Sequence, residues 1–250
     1  MRRLISAAAL LLLLGNGAEA AEGAKPPSQH WGFSGMFGTF DRASLQRGFQ
    51  VYKEVCASCH GVYMLSYRNL SGIGYAEDDI KAIAAQAKVM DGPNDAGEMF
   101  ERAGRPSDKF ARPFANEKAA RASNNGAYPV DLSMVTKARV GGPAYIYAVL
   151  TGYVPAPAGV TLGEGMHYNA YFPGHQIAMP APINVDGVTY QDGTKASVEQ
   201  QAKDVSVFLA WASEPTLEAR KLMGIKVMLF LIVMTGILYA AKRKVWASVH

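Results

Sequence analysis

Cysteine is almost absent from this chain, since Cys56 and Cys59 are the only two among its 250 residues. A framework of structural disulfides is therefore excluded. The sequence also shows no arrangement typical of a hydrolytic triad. Between residues 21 and 220 it has no cluster of basic residues and no alternation of basic with aromatic residues. This excludes nucleic acid as a partner, although the formal net charge of the whole chain is +4.

The two cysteines belong to the segment Cys56-Ala57-Ser58-Cys59-His60, a C-x-x-C-H motif that predicts covalent attachment of haem. Thiols add to the two vinyl groups of a porphyrin, and a spacing of three residues puts both sulfurs on one helical face. The neutral imidazole of His60 is then the expected fifth ligand of iron. A thioredoxin-like redox pair or half of a zinc site also has a C-x-x-C sequence. The first has no need of His60, and the second lacks its other half.

The N-terminus has the features of an export signal. Arg2 and Arg3 precede an apolar run from Leu4 to Leu14, and Ala18-Glu19-Ala20 has the small residues that a signal peptidase recognises. The run is shorter than the ~20 residues that a membrane span needs. We therefore expect residues 1–20 to be cleaved. An export signal supports the haem motif, because bacteria attach haem to such motifs outside the cytoplasm.

A second apolar run, Leu222 to Ala241, is long enough to cross a membrane as a helix. Its only charge is Lys226, which lies near its start and can extend its ammonium to the interface. Lys242-Arg243-Lys244 follow the run directly, and the positive-inside rule puts them in the cytoplasm. We expect a periplasmic haem domain at 21–221, an anchor in the bacterial inner membrane at 222–241 and a cytoplasmic tail at 242–250.

The sequence predicts a mainly helical, class I-like c-type cytochrome domain with long loops and one C-terminal transmembrane helix. Asp41 or Ser44 can cap the helix that leads to the C-x-x-C-H motif. Ser197 and Gln200 form a capping box before a helix that we expect to pack against the first. Other helices are predicted at the ranges Asp78 or Asp79 to Val89, Asp131 to Ala138 and Ala144 to Leu150.

Proline and glycine predict loops in the remaining segments. These loops span residues 64–73, 102–130, 155–165 and 169–183. Residues 22–40 are expected to form an irregular arm that lies on the body through its aromatic rings. Between Tyr75 and Glu101, seven acids stand against two lysines, which indicates either a solvated surface or a docking face for a basic partner.

Methionine is a common partner of histidine on the iron of cytochromes c, so a methionine is expected as the sixth ligand. Met179 is the best candidate, because it begins Met179-Pro180-Ala181-Pro182, a segment stiffened by proline. His167 and His175 compete with it and would give a haem with two histidine ligands. Several other methionines are expected to fill gaps in the core, namely Met36, Met90, Met99, Met134 and Met166.

Several segments together make the chain resemble the cytochrome c1 family from about Phe40 to the end. Besides the C-x-x-C-H motif, they are Ser44-Leu45-Gln46-Arg47-Gly48, Asp131-Leu132-Ser133, Ala138-Arg139, Leu150-Thr151-Gly152-Tyr153, Asn169-Ala170-Tyr171-Phe172-Pro173-Gly174, Ala178-Met179 and Ala202 to Trp211. The resemblance implies one haem c attached to Cys56 and Cys59. It further implies axial ligation by His60 and Met179, with Arg139 as partner of a haem propionate.

Two features depart from the family pattern. Some bacterial members carry a second pair of cysteines, which this sequence lacks. His175 occupies a position where no histidine is expected.

The resemblance implies one-electron transfer as a subunit of the cytochrome bc1 complex, the ubiquinol:cytochrome c oxidoreductase. Electrons would pass from the Rieske iron-sulfur protein through haem c to a soluble or anchored cytochrome c, while cytochrome b carries out the quinone chemistry. A six-coordinate iron has no free position for a substrate, so no separate catalytic site is expected. One alternative is a free-standing anchored cytochrome that feeds a terminal oxidase. Another is a haem enzyme or gas sensor with an open iron.

Overall fold

The computed structural model describes residues 24–248 of the protein. The expected signal peptide, residues 1–20, and the last two residues of the expected tail lie outside the described residues. The described chain is mainly helical, as predicted. Its α-helices are α1 (Arg42–Glu54), α2 (Glu77–Ala85), α3 (Glu117–Ser123), α4 (Pro143–Thr151), α5 (Val198–Ser213) and α6 (Leu217–Trp246).

Short elements connect these helices. Two 3₁₀ helices span Cys56–Ser58 and Tyr67–Ile73. Strands β1 (Lys88–Asp91) and β2 (Phe100–Ala103) form one antiparallel pair, with Val89 opposite Arg102. Strands β3 (His167–Tyr168) and β4 (Gln176–Ile177) form a second, with His167 opposite Ile177.

Helix α1 begins where its sequence predicts. The carboxylate of Asp41 accepts hydrogen bonds from the amides of Ala43 at 3.2 Å and Ser44 at 3.3 Å, which satisfies donors that the first helical turn leaves free. Leu45, Phe49 and Tyr52 are buried along one face of the helix. Helix α1 therefore has a fixed start and a fixed orientation in the core.

Helix α5 crosses α1 at a point where only glycine fits. A Cβ atom on Gly48 would lie 2.1 Å from the carbonyl oxygen of Asp204, so the two backbones are in direct contact. Phe208 of α5 packs beside this point, with ring centroids 5.6 Å from Phe49 and 5.5 Å from Tyr52. The predicted packing of these two helices is confirmed.

A buried ion pair joins the same two helices. Asp204 is completely buried, and Arg47 donates to it twice, from Nε at 2.8 Å and from Nη2 at 3.2 Å. Asp192 binds the same guanidinium at 2.7 Å. The hydrogen bonds that Arg47 donates to Asp204 raise the pKa of Arg47, so the guanidinium stays charged.

The capping box predicted at the start of α5 is half present. The hydroxyl of Ser197 accepts from the amide of Gln200 at 3.2 Å, as expected. The side chain of Gln200 does not reach back to Ser197. It donates to Asp204 at 2.9 Å, because the buried carboxylate attracts a further donor.

Several secondary-structure predictions were wrong. Helix α2 ends at Ala85, and Val89 lies in β1. Gly104, which follows β2, lies against the end of the helix, where a Cβ would be 2.5 Å from the carbonyl oxygen of Ala84, and its amide donates to the carbonyl of Ala87 at 2.9 Å. The second wrong prediction was the loop 64–73, which contains the 3₁₀ helix Tyr67–Ile73.

This 3₁₀ helix is stabilised at both ends. The amide of Ser66 donates to the side chain of Asn69 at 2.7 Å, and Gly74 ends the helix in a left-handed conformation with φ of 98°. The third wrong prediction was a helix from Asp131 to Ala138. In the structure this segment is a series of turns. Its polar groups bind other segments, including the hydroxyl of Thr136, which lies 2.6 Å from that of Ser213 in α5.

The predicted loop 102–130 also contains a helix, α3. Asn116 caps its start, because the side chain of Asn116 accepts a hydrogen bond from the amide of Ala119 at 3.0 Å. The predicted loop 169–183 contains β4. The methionines expected in the core are largely at the surface, because Met36, Met90, Met99 and Met134 are all exposed.

Helix α6 has the length and composition of a membrane span. It includes the predicted run 222–241, extends it at both ends, and none of its apolar window is buried. The arm before α1 lies on the body through Trp31 and Phe40, which are buried as expected. Phe37 is the exception, since 80% of it is exposed.

Replacement of Arg47 by Met tests the ion pair between α1 and α5. The variant leaves Asp204 buried without its guanidinium, so we expect the free energy of unfolding to fall by about 3 kcal/mol or more. Chemical denaturation in detergent, followed by far-ultraviolet circular dichroism, measures the change. Lys81→Met is the control, because Lys81 binds Glu77 and Asp78 only at the surface. An equal loss in the two variants would mean that the buried pair has no special role.

Candidate functional site

The C-x-x-C-H motif follows directly after α1. Cys56 begins a 3₁₀ helix, and its carbonyl accepts from the amides of Cys59 at 3.1 Å and His60 at 2.8 Å. Both cysteines are free thiols and half-buried. Burial and the neighbouring Cys59 raise the pKa of Cys56 to about 12. The motif is thus a compact turn that holds both sulfurs and the imidazole close together in the chain.

The ring of His60 is fixed by a backbone carbonyl. Its Nδ1 lies 2.6 Å from the oxygen of Val130, and because a carbonyl only accepts, Nδ1 carries the proton and donates. Nε2 then keeps its lone pair for a metal ion. Burial lowers the pKa of His60, although the bond to Val130 and the charge of Asp131 oppose this shift. The imidazole is therefore neutral, which metal coordination requires.

A second strip of chain, residues 130–133, binds the segment around His60 and is called the histidine clamp below. The amide of Leu132 donates to the carbonyl of Gly61 at 2.8 Å. The carboxylate of Asp131 accepts from the amide of Tyr63 at 3.1 Å, and the hydroxyl of Ser133 accepts from that of Met64 at 3.1 Å. These bonds set the position of Val130, and hence the orientation of His60.

A phenol contacts His60 from α1. The hydroxyl of Tyr52 donates to the carbonyl of His60 at 3.2 Å. Burial raises the pKa of Tyr52, so the hydroxyl keeps its proton and remains a donor. The backbone of His60 is thus held by α1 on one side and by the histidine clamp on the other.

Met179 lies in a separate loop and is half-buried. Its carbonyl accepts a hydrogen bond from the hydroxyl of Tyr153 at 3.0 Å. Burial raises the pKa of Tyr153, which keeps this donor protonated. The β3–β4 pair precedes the loop, and Met179 follows Ile177 by two residues. The loop is thus held through the main chain of Met179.

Asn169 connects this loop to α4. It is completely buried, donates to the carbonyl of Val149 at 2.7 Å and accepts from the amides of Tyr171 at 3.1 Å and Phe172 at 3.2 Å. A buried amide with all these partners gives the loop one conformation. Because α4 packs on α5, the Met179 loop is joined to the same core as the histidine clamp.

The two competing histidines lie on either side of this hairpin. His175 has a φ of 59°, and its Nδ1 is 3.2 Å from the carbonyl of Asn169. Its ring stacks on Tyr168 with centroids 5.5 Å apart. His167 lies in β3 and is exposed. The contacts of His175 give it a structural role in the turn.

Arg139 lies at the surface before α4. Its Nη1 donates to the neighbouring carbonyl of Ala138, at 3.3 Å, and within residues 24–248 it forms no ion pair. Val140, next to it, is 96% exposed. Tyr145 lies close to the guanidinium, and burial raises its pKa although Arg139 opposes the shift. Arg139 therefore has its charge free for an anionic group.

The first half of α4 has apolar surface that the described residues cover only partly. Positions 142–147 are all half-buried, among them Tyr145 and Ile146. The two free thiols and the unprotonated Nε2 of His60 have the chemistry that a covalently attached porphyrin requires. Among the described residues, no three His, Cys, Asp or Glu side chains are grouped to bind a metal ion.

Several of these supporting residues were missed by sequence reasoning. The contribution of Val130 is a backbone carbonyl, which has no sequence signature. Asp131 and Ser133 were recognised as part of a family segment without a role, and the same holds for Tyr153 and Asn169. Their burial beside a ligand candidate becomes visible only in three dimensions.

Comparisons with known proteins indicate one family. A family model described as the Cytochrome C1 family matches residues 31–249. The protein named Cytochrome b/c1 from Bradyrhizobium diazoefficiens is 50% identical over 99% of this chain, which spans 39% of that protein's length. Cytochrome c1 from Rhodospirillum rubrum is 46% identical, with 100% of this chain and 98% of that protein covered. The Cytochrome b-c1 complex catalytic subunit of Candida albicans mitochondria is 47% identical over 92% of this chain and 80% of its own.

Proposed function

The chain belongs to the cytochrome c1 family, and from this premise we propose that it transfers electrons within a cytochrome bc1 complex through one covalently attached haem c. The family implies a haem. The observation that carries the proposal is the C-x-x-C-H turn in which Val130 fixes the protonated nitrogen of His60. When bound, haem supplies a one-electron couple, which amino-acid side chains in this site do not offer.

Cys56 and Cys59 are the proposed attachment sites. Each thiol adds across a vinyl double bond, so that sulfur and hydrogen both end on the former vinyl carbons and nothing is released. The two thioethers keep the cofactor beside His60. His60 is the proposed fifth ligand, and its hydrogen bond to Val130 makes the imidazole a stronger donor to iron.

Met179 is the proposed sixth ligand. Its loop is held through Tyr153, and a thioether is a soft, neutral ligand that favours the ferrous state and raises the potential. His167 and His175 remain the competing ligands. The exposure of His167 and the contacts of His175 with Asn169 and Tyr168 favour Met179.

Arg139 is proposed to bind a haem propionate. Its exposed guanidinium forms no ion pair among the described residues, so a carboxylate from the cofactor would be its partner. A charge-assisted bond at this position would also orient the cofactor relative to α4.

The proposed electron route follows from the family and from the names of the relatives. The Rieske iron-sulfur protein delivers the electron, cytochrome b carries out the quinone chemistry, and a soluble or anchored cytochrome c accepts the electron. The name Cytochrome b/c1 of the Bradyrhizobium protein supports a partnership with cytochrome b. It argues against a free-standing cytochrome that feeds a terminal oxidase.

The acidic surface between Tyr75 and Glu101 is partly compensated by its own lysines. Lys81 binds Glu77 at 2.9 Å and Asp78 at 3.3 Å, while Lys88 binds Glu101 at 3.4 Å. Since these cations compensate part of the negative charge, the solvated-surface interpretation explains the region equally well.

Helix α6 and the bacterial relatives fit a protein that is anchored in the membrane. We propose that the haem domain, residues 21–221, lies in the periplasm of the bacterial inner membrane and that the tail, residues 242–250, lies in the cytoplasm. The basic triplet Lys242-Arg243-Lys244 supports this orientation. Export by residues 1–20 gives the same sidedness.

A truncation tests the boundary between haem domain and anchor. We expect a chain that ends after Lys221 to be exported, soluble in water and loaded with haem, because its core is complete without lipid. A chain that ends after Thr216 also loses Glu218 and Lys221, which bind the arm, and should unfold at a lower temperature. Haem content and thermal unfolding measure both variants. If the Lys221 chain is exported but keeps no haem, the boundary is misplaced.

Met179→Leu tests the sixth ligand. Leucine removes sulfur at nearly constant volume, so packing should change little. We expect haem to stay attached, its potential to fall and carbon monoxide to bind the reduced protein. Redox titration and carbon monoxide difference spectra measure these changes.

Met166→Leu is the matched control, since Met166 is also a half-buried methionine. It should leave potential and spectrum unchanged. With a histidine as sixth ligand, Met179→Leu would keep the undisturbed low-spin spectrum. Carbon monoxide binding by the unaltered reduced protein would instead support a haem enzyme or gas sensor.

A further inference from the structure

A small apolar loop protrudes from the arm beside the start of α6. Met36 is 65% exposed and Phe37 is 80% exposed, although both are large apolar side chains. Gly35, before them, has a φ of 73°, which allows the sharp turn. These three residues, 35–37, are called the tip below.

The base of this loop is closed tightly. A Cβ on Gly38 would lie 2.0 Å from the carbonyl oxygen of Ser34, so the two ends of the loop are in direct contact. Ser34 and Gly38, with the adjoining Phe33, are called the neck below, and only the tip extends beyond it. Three residues can reach no more than about 7 Å from such a base and return. The tip therefore cannot lie far from its neck.

The neck is bound to the membrane helix. The ammonium of Lys221 donates to the carbonyl of Phe33 at 2.6 Å and to that of Gly38 at 3.0 Å. Lys221 is the last residue before the apolar run that begins at Leu222. The tip is thus held at the level where α6 enters the membrane.

The order of contacts along α6 shows on which side of the arm the tip lies. The amide of Phe40 donates to Glu218 at 2.7 Å, and Arg42 binds the same carboxylate at 2.6 Å. These two bonds hold the pKa of Glu218 below its usual range, although burial opposes this. The neck binds Lys221, three residues or about 4.5 Å further toward the apolar run. The chain therefore approaches the membrane as it runs from Arg42 back to Gly38.

We propose that Met36 and Phe37 insert into the interfacial layer of the bilayer and give the haem domain a second contact with lipid beside α6. The layer between hydrocarbon core and water is several ångströms thick on each side, which matches the reach of the tip. Phenylalanine is among the apolar residues that interfacial segments bury at this depth, and an exposed phenylalanine in water has no comparable stabilisation. Two separate contacts with lipid restrict the tilt of the haem domain, which one helix alone would leave free.

A spin label at position 37 tests this proposal in the haem-loaded full-length protein. The variant Phe37→Cys is labelled and reconstituted into vesicles of phosphatidylcholine and phosphatidylglycerol. Collision of the label with oxygen, which concentrates in lipid, is compared with collision with a water-soluble nickel complex. We expect the ratio of oxygen to nickel collisions at position 37 to be severalfold higher than at a site in water. Unaltered protein, treated in the same way, measures any label on Cys56 and Cys59.

Met99→Cys is the matched control, because Met99 is also an exposed methionine, 58% accessible. Met99 lies in the β1–β2 hairpin, which comes just after Gln86 in the chain. The side chain of Gln86 accepts a hydrogen bond from Lys53, at the C-terminal end of α1. Arg42, which contacts α6, lies at the opposite end of α1. Position 99 is therefore remote from the anchor and should collide freely with nickel. A ratio at position 37 as low as at position 99 would place the tip in water. Low collision rates with both reagents would indicate that protein, such as a second copy, covers the tip. Either result overturns the proposal.

Discussion

The close crossing of α1 and α5 is the constraint on which the rest of the structure depends. Gly48 allows the backbone of α1 to touch the carbonyl of Asp204, and the side chain of Asp204 binds Arg47 next to that glycine. The sliding of one helix along the other would separate the ion pair, while rotation would remove Gly48 from the contact. Helix α1 therefore has one position relative to α5, and the C-x-x-C-H turn that follows it is placed accordingly.

The other parts of the site are attached to the same pair of helices. Thr136, just after the histidine clamp, contacts Ser213 of α5, and α4 packs on α5 while holding Asn169 through Val149. The segments that hold His60 and Met179 are thus both attached to the helix pair α1 and α5, although they are far apart in sequence. Such a support suits electron transfer, because a redox centre works best when its ligands move little between the two oxidation states.

Local signals in the sequence predicted the elements that depend on local contacts. Asp41 and Ser197 cap their helices as expected, since a cap needs only the amides two or three residues ahead. The predictions failed where distant partners decide. Val89 follows a helical pattern but pairs with Arg102 in a strand, and Asp131 binds the amide of Tyr63. The carbonyl of Val130 could not be predicted at all, because every residue has one and only the fold selects it.

The near-infrared absorption spectrum of the oxidised, unaltered protein tests the central claim most directly. Haem iron ligated by one histidine and one methionine has a sulfur-to-iron charge-transfer band in this region, and iron with two histidines has none. With His60 and Met179 as axial ligands, we predict that the band is present in the full-length protein. Its absence from a fully oxidised, haem-loaded sample would contradict the proposed ligation.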